Sequence, residues 1–113
     1  MEFDELLSIF DTELKRGTLT LVIMSHLQTP QYGYSLIQNI TEQQIDVEAG
    51  TLYPMLRRLE KQGVLTSDWD TNESRPRKYY KLSDLGMQLF LRLKENWKNL
   101  SNQMNQILWE ENE

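Results

Sequence analysis

The stretch from residue 48 to residue 82 most constrains the fold, because its pattern changes from helical to extended within a few residues. Apolar residues recur every three or four positions up to Leu59, which predicts an amphipathic helix, and Gly63 follows as a C-cap. Residues 64–70 and 77–82 then alternate apolar and polar side chains as strands do, with turn residues at 71–74 between them. Two short strands are not stable alone, so this β-hairpin must pack on helices.

Two further helices are expected before this stretch. Residues 3–27 carry an apolar stripe at helical spacing, and a short helix should run from residue 32 to about Thr41, after a turn at Pro30. Gly17 could divide the first stretch into two helices, since glycine inside a helix costs up to about 1 kcal/mol. Three helices followed by a hairpin make a winged helix-turn-helix, so the predicted fold is mainly α with a small β-hairpin.

The exposed face of the helix before the hairpin carries groups that can read DNA. Its residues are Gly50, Thr51, Tyr53, Pro54, Arg57 and Lys61. Threonine, tyrosine and arginine reach base edges and phosphates in the major groove. Tyr53 has a structural alternative, as a partly buried aromatic residue under the helix. Pro54 suits only a first helical turn, so we expect the helix to start late or to bend there.

The hairpin tip and the second helix offer further contacts to DNA. Arg75 and Arg77 flank a proline that stiffens the tip, so these arginines, with Lys78, could reach phosphates or an adjacent minor groove. Tyr34 and Ser35 start the second helix, where they are placed to touch backbone phosphate. Tyr34 could instead pack against the hairpin.

The charge of the chain is unevenly distributed. The net charge is −5, yet residues 57–81 contain seven basic and four acidic side chains and are therefore net positive. Phosphate contacts need cations at the docking face rather than a basic molecule as a whole. The charge pattern thus allows a DNA partner, although a solvated charge cluster would look the same.

A long amphipathic helix is predicted at the C-terminus, with Ser83 as its N-cap. Its apolar residues recur at alternating spacings of four and three, as in a coiled-coil seam: Phe90, Leu93, Trp97, Leu100, Met104 and Ile107. A helix over residues 83–110 would be about 40 Å long, more than a domain of this size can cover. We therefore predict a homodimer; the alternative is that the seam packs on residues 3–14 of the same chain.

The expected organisation is a winged helix-turn-helix DNA-binding domain with its N-terminal helix at residues 1–82 and a dimerisation helix at residues 83–113. The two parts should form one compact unit. A chain of 113 residues is long enough for one modest core.

Enzymatic chemistry finds no support in the sequence. There is no cysteine, the single histidine is His26 in an apolar stretch, and neither a glycine-rich phosphate loop nor a metal-ligand spacing occurs. We therefore expect no enzyme, no metal site and no cofactor. No apolar run approaches the roughly 20 residues that span a bilayer, and the acidic N-terminus lacks the basic start of a secretory signal. A cytoplasmic protein without a membrane partner is expected.

Several of these motifs occur together in one known family. They are Tyr32-Gly33-Tyr34, the run Gly-Thr-Leu-Tyr-Pro at 50–54, and the run Arg-Pro-Arg-Lys-Tyr-Tyr-Lys-Leu-Ser at 75–83. The chain resembles the PadR family of transcriptional regulators, and its single C-terminal helix resembles the short, LmrR-like subgroup. The resemblance implies a homodimeric winged-helix repressor that binds a pseudo-palindromic operator and is released by small aromatic or cationic compounds.

The resemblance also implies a ligand site. In LmrR-like members a tryptophan of the C-terminal helix sandwiches flat ligands across the dimer axis, and Trp97 looks like that position. By the same likeness Leu14 and Leu21 would line the pore, with Gly17 between them. Ser101 stands where an acid would help to hold cations, which favours neutral aromatic ligands or no ligand at all. Trp97 could equally be plain dimer core.

The function predicted from the sequence is therefore transcriptional repression. The partners would be double-stranded DNA, a second copy of the chain and a small planar aromatic effector. The alternative is a winged-helix module for protein–protein contact without specific DNA binding, in which the basic strip meets an acidic partner.

Overall fold

Helices and strands follow one another in the order of a winged helix-turn-helix in the computed structural model, which describes residues 1–72 and 74–110. The elements are α1 (Phe3–His26), β1 (Gln31–Tyr32), α2 (Gly33–Glu42), α3 (Ala49–Lys61), β2 (Leu65–Asp70), β3 (Arg77–Leu82) and α4 (Asp84–Trp109). Across these described ranges the fold is mainly helical with a small sheet, so the predicted fold class is confirmed. Glu73 of the predicted turn and the last three residues of the predicted C-terminal segment lie outside the described residues.

The first helix is continuous. α1 passes through Gly17 without a break, so the suggested division into two helices is wrong. A glycine inside a helix costs at most about 1 kcal/mol. That cost is small beside the burial of Ile23, Met24 and Leu27, which are fully inaccessible to solvent around the C-terminal end of α1.

The wing is one part of a three-stranded antiparallel sheet with strand order β1-β3-β2. β2 and β3 pair from Leu65 opposite Leu82 to Asp70 opposite Arg77, as expected for the hairpin. β1 was expected to belong to a turn and a helix start, but it pairs with the other side of β3. This two-residue strand is too short to show any alternation in the sequence. It ties the start of α2 directly to the wing.

The core lies between the C-terminal half of α1, α2, α3, the sheet and the start of α4. Its fully buried side chains are Ile23, Met24, Leu27, Leu36, Ile40, Leu52 and Leu56. From β3, Tyr80 and Leu82 are buried on the same face, as their alternation predicts. None of the described helices is both long enough and apolar enough to cross a membrane.

The turn between α3 and β2 also supports the N-terminal end of α4. Gly63 has a φ of 81° and the amide of Val64 donates to the carbonyl of Leu59 over 2.9 Å, which is the C-cap that the sequence predicts. Ser83 caps α4, because its Oγ accepts from the amide of Gly86 over 2.9 Å and donates to the carbonyl of Gly63 over 2.6 Å. A Cβ on Gly86 would overlap the carbonyl of Val64. The N-terminal end of α4 therefore lies directly on the backbone of this turn.

Candidate DNA-binding surface

The recognition helix α3 buries one side and exposes the other. Leu52, Leu56 and Leu59 enter the core. The opposite side presents an exposed recognition strip, which consists of Gly50, Thr51, Pro54, Arg57 and Lys61. The first four of these residues are predicted DNA contacts, and Lys61 lies on the same face. All five lie on one side of α3.

Pro54 lies within α3 rather than at its start. The helix begins at Ala49, so the expectation of a late start is wrong. Pro54 lacks the amide that would bond to the carbonyl of Gly50. Gly50 is exposed and a Cβ built on it would meet nothing within 4 Å. Water can therefore hydrate the carbonyl that Pro54 leaves without a helical partner.

Tyr53 is half-buried and packs against the N-terminal end of α2. A Cβ built on Gly33 would overlap its phenol ring. Gly33 itself is buried, so the ring closes the gap between the two helices of the helix-turn-helix. This geometry supports the structural alternative for Tyr53, while its contact with DNA stays a prediction.

The start of α2 presents one exposed side chain and one hydrogen-bonded side chain. Tyr34 is 58% exposed, and its ring stacks on that of Tyr32 with 6.5 Å between the centroids. The hydroxyl of Ser35 donates to the carbonyl of Tyr32 over 2.9 Å. Tyr34 is therefore placed to contact a molecule at this surface, whereas Ser35 already has a backbone partner.

The cations of the wing differ in what they contact. Arg75 is exposed. The guanidinium of Arg77 lies 4.7 Å from the centre of the Tyr32 ring. The ammonium of Lys78 donates to Oε1 of Glu60 over 3.0 Å, so Lys78 is held against α3. Of the three predicted wing contacts, Arg75 and Arg77 flank the tip as expected, and Lys78 also joins β3 to α3. Contact of the three side chains with DNA stays a prediction.

Glu60 links the recognition helix to the wing, which the sequence did not indicate. Its carboxylate accepts hydrogen bonds from Ser67 of β2 and from Lys78 of β3. The bond from Ser67, then that from Lys78, lowers the pKa of Glu60 below its ordinary value, and the bond to Glu60 raises the pKa of Lys78. This Glu60 clasp joins the C-terminal end of the recognition helix to both long strands of the wing. A contact between residues 18 positions apart leaves no local sequence signal.

Comparison with known proteins agrees with this geometry. Residues 21–92 match the sequence profile of the Transcriptional regulator PadR-like family. The chain belongs to the PadR family. It is therefore a DNA-binding transcriptional regulator rather than an enzyme, as the sequence predicts, and this decides against the alternative of a module without DNA binding.

Relatives and solved structures extend the likeness over nearly the whole chain. The chain is similar to a PadR family transcriptional regulator from Eggerthella lenta DSM 2243, with 39% identity, a TM-score of 0.88, and coverage of 96% of this chain and 97% of that one. A PadR-like transcriptional regulator from Bacillus cereus gives 25% identity, a TM-score of 0.77 and coverage of 88% and 99%. Transcriptional regulator Rv3488 of Mycobacterium tuberculosis is 33% identical over 75 residues, which are 66% of this chain and 70% of that protein.

The predicted seam of this PadR-family chain divides into a buried part and an exposed part. Phe90 is buried in the chain's own core and Leu93 is partly buried against it, so a partner chain would find little of their surface. The four seam residues farther along α4 are at least 40% exposed: Trp97, Leu100, Met104 and Ile107. The predicted dimer contact therefore narrows to the outer half of α4.

The residues that the PadR resemblance suggests for ligand binding lie on α1 and α4, which contact one another. Leu14 is 75% exposed, Gly17 is exposed and Leu21 is half-buried. Trp97 is 46% exposed. The hydroxyl of Ser101 donates to the carbonyl of Lys98 over 3.1 Å. A single chain thus leaves Leu14 and Trp97 open to a partner chain or a ligand.

Proposed function

We propose that this PadR-family regulator acts as a homodimeric repressor at a pseudo-palindromic operator. The observation that carries the proposal is the apolar surface on the outer half of α4. Large side chains from Trp97 to Ile107 are exposed at seam spacing, and contiguous apolar surface of this kind is typical of an interface.

The first half of α1 supports the same proposal. Phe3, Leu7, Phe10 and Leu14 are each more than half exposed. These side chains and the outer seam residues of α4 all remain exposed in the single chain, which argues against the alternative that the seam is satisfied by residues 3–14 of the same chain. A second copy can cover both helices at once.

A dimer would allow two copies of the recognition strip to read one operator. One α3 helix reads only a few base pairs, whereas two helices held about 34 Å apart enter successive major grooves on one side of the duplex. The wings, with Arg75 and Arg77, would then lie on the flanking backbone. Occupation of an operator by two copies blocks the DNA that they cover, which is the physical basis of repression.

The DNA-binding part of the proposal is tested by a gel shift on DNA from the region that flanks the gene. The full duplex is compared with one in which half of the palindrome is replaced by random sequence. We expect two copies to bind the full site and binding to the half-site to be at least about tenfold weaker. Equal affinity for the two duplexes would contradict a dimeric reading of the site.

The effector is the second part of the proposal. We infer that a neutral planar aromatic compound stacks on Trp97 at the seam and lowers the affinity for DNA by linkage. Neutral Ser101 on the next turn favours a ligand without positive charge. The dye Nile red is a suitable probe, and its binding should be lost in Trp97→Ala and retained in Trp109→Phe. Retention in Trp97→Ala would move the ligand away from the seam.

A further inference from the structure

A groove lies between the wing and the N-terminal end of α2, and its walls are aromatic. Its volume is about 610 Å³, within the range of about 300–1,000 Å³ that small-molecule sites occupy. The rings of Tyr32, Tyr34 and Trp69 line this wing groove. Tyr34 and Trp69 are 58% and 63% exposed, so an incoming planar ring has flat apolar surface on which to stack.

The charged side chains that line the wing groove are all cations within the described part of the chain: Arg75, Arg77 and Lys78. The positive charge of the groove is opposite in sign to the net charge of −5 on the chain as a whole. Lys78 is paired with Glu60 and Arg77 lies over the Tyr32 ring. Arg75 is exposed at the rim beside Pro76, so it is the cation best placed to meet an added anion.

We propose that the wing groove binds a free nucleotide, with the base stacked on the exposed aromatic rings and the phosphate paired with Arg75. A nucleotide joins a planar ring to a strongly anionic group in one small molecule, which matches the two kinds of wall. The planar guanidinium of arginine suits the bidentate recognition of phosphate, and base stacking on aromatic side chains tolerates any base.

This ligand site is separate from the effector site proposed at the dimer seam and does not depend on it. Arg75 and Tyr34 also belong to the predicted DNA-facing surface. A nucleotide in the wing groove and a DNA duplex on the wing therefore exclude one another.

The test follows the emission of Trp69 in the full chain carrying Trp97→Phe and Trp109→Phe, which leaves Trp69 as the one tryptophan. Guanosine 5′-monophosphate should quench this emission with a Kd below about 1 mM. Guanosine and inorganic phosphate should each bind at least about tenfold more weakly, because each offers half of the contacts. Circular dichroism confirms that the background variant is folded.

Matched variants locate the site. Arg75→Gln should weaken nucleotide binding about tenfold, as expected when a charged hydrogen bond is lost. Arg92→Gln removes the same charge from an exposed position on α4 and should leave the Kd unchanged. The proposal is overturned by an absence of quenching up to about 1 mM nucleotide, or by an unchanged Kd in Arg75→Gln. Quenching by an oligonucleotide but not by the mononucleotide would also overturn it and would assign the groove to DNA. A gel shift on the same background measures DNA binding separately.

Discussion

The phenol ring of Tyr53 in α3 lies against Gly33 at the start of α2, where a side chain on Gly33 would overlap it. The two helices of the helix-turn-helix therefore meet through an aromatic ring on one side and a bare Cα on the other. The approach of the helices depends on both residues, and so does the direction in which the recognition strip points.

The first prediction concerns this pair. Gly33→Ala should destabilise the fold by about 1–3 kcal/mol, because the added methyl group overlaps the Tyr53 ring and must displace it. Adding Tyr53→Ala should recover part of that loss, since the smaller side chain leaves room for the methyl group. Urea unfolding of both single variants and the double variant gives the coupling between the two positions. Additive effects would show that the two residues are independent.

The role of Tyr53 can be separated from base reading on the same variants. If Tyr53 acts by holding α3 in place, Tyr53→Ala should reduce affinity for the operator and for random duplex by similar factors. A contact with a base would instead reduce the discrimination between the two duplexes. The half-buried position of the ring leads us to expect similar losses.

Two glycines give a matched pair for the second prediction. A Cβ on Gly86 would overlap the carbonyl of Val64, whereas a Cβ on Gly17 would meet nothing within 4 Å. Gly86→Ala should therefore destabilise the protein by about 3 kcal/mol or more, because backbone must move. Gly17→Ala should stabilise it by about 0.5–1 kcal/mol, because alanine restricts the unfolded chain and favours helix. Thermal unfolding checks both signs.

The third prediction follows from the lowered pKa of Glu60. A carboxyl group whose pKa is lower in the folded state stabilises the fold above its ordinary pKa of 4.5, and this contribution is lost as the pH falls through the lower, folded-state pKa. The effect should be no more than about 1 kcal/mol, because Glu60 and Lys78 are partly exposed. Glu60→Gln should therefore lower the Tm at pH 7 and have little effect at the acid end.

Glu42→Gln on α2 is the matched control, since this exposed glutamate has no hydrogen bond within the described residues. Its Tm should follow that of the parent protein over the same pH range. An equal shift in Tm in the two variants would mean that the Glu60 clasp does not stabilise the fold, and that the shift comes only from the loss of one negative charge.

The fourth prediction concerns the wing and salt. Arg75 is exposed at the tip, where a guanidinium can reach a phosphate of the flanking duplex. Arg75→Ala should weaken binding to operator and random DNA alike and should reduce the slope of log K against log salt by about one unit. Arg92→Ala on α4 removes the same charge away from the wing. An unchanged slope in Arg75→Ala would remove this residue from the DNA interface.

Local chemistry explains why much of the fold could be predicted from the sequence. The left-handed Gly63, the capping Ser83 and the alternation of Tyr80 with Leu82 each act within a few residues of their own position. The same is true of the spacing that places the recognition strip on one side of α3.

What the sequence did not indicate depends on contacts between distant residues. β1 exists because Gln31 and Tyr32 pair with β3, nearly 50 positions later in the chain. Glu60 of α3 and Lys78 of β3 form an ion pair, and the sequence around neither residue predicts it. The bond between Lys78 and α3 therefore has no sequence signal, and contact of Lys78 with DNA stays a prediction.

The central claim is that the outer half of α4 joins two copies so that two recognition strips reach one operator. Leu100→Glu places a charge on the exposed seam, and Asn102→Glu places the same charge on the side of α4 away from it. Sedimentation equilibrium should show a dimer for the parent protein and for Asn102→Glu, and a monomer for Leu100→Glu with a matching loss of operator binding. A parent protein that sediments as a monomer while it binds the operator, or a Leu100→Glu variant that stays dimeric, would contradict the account.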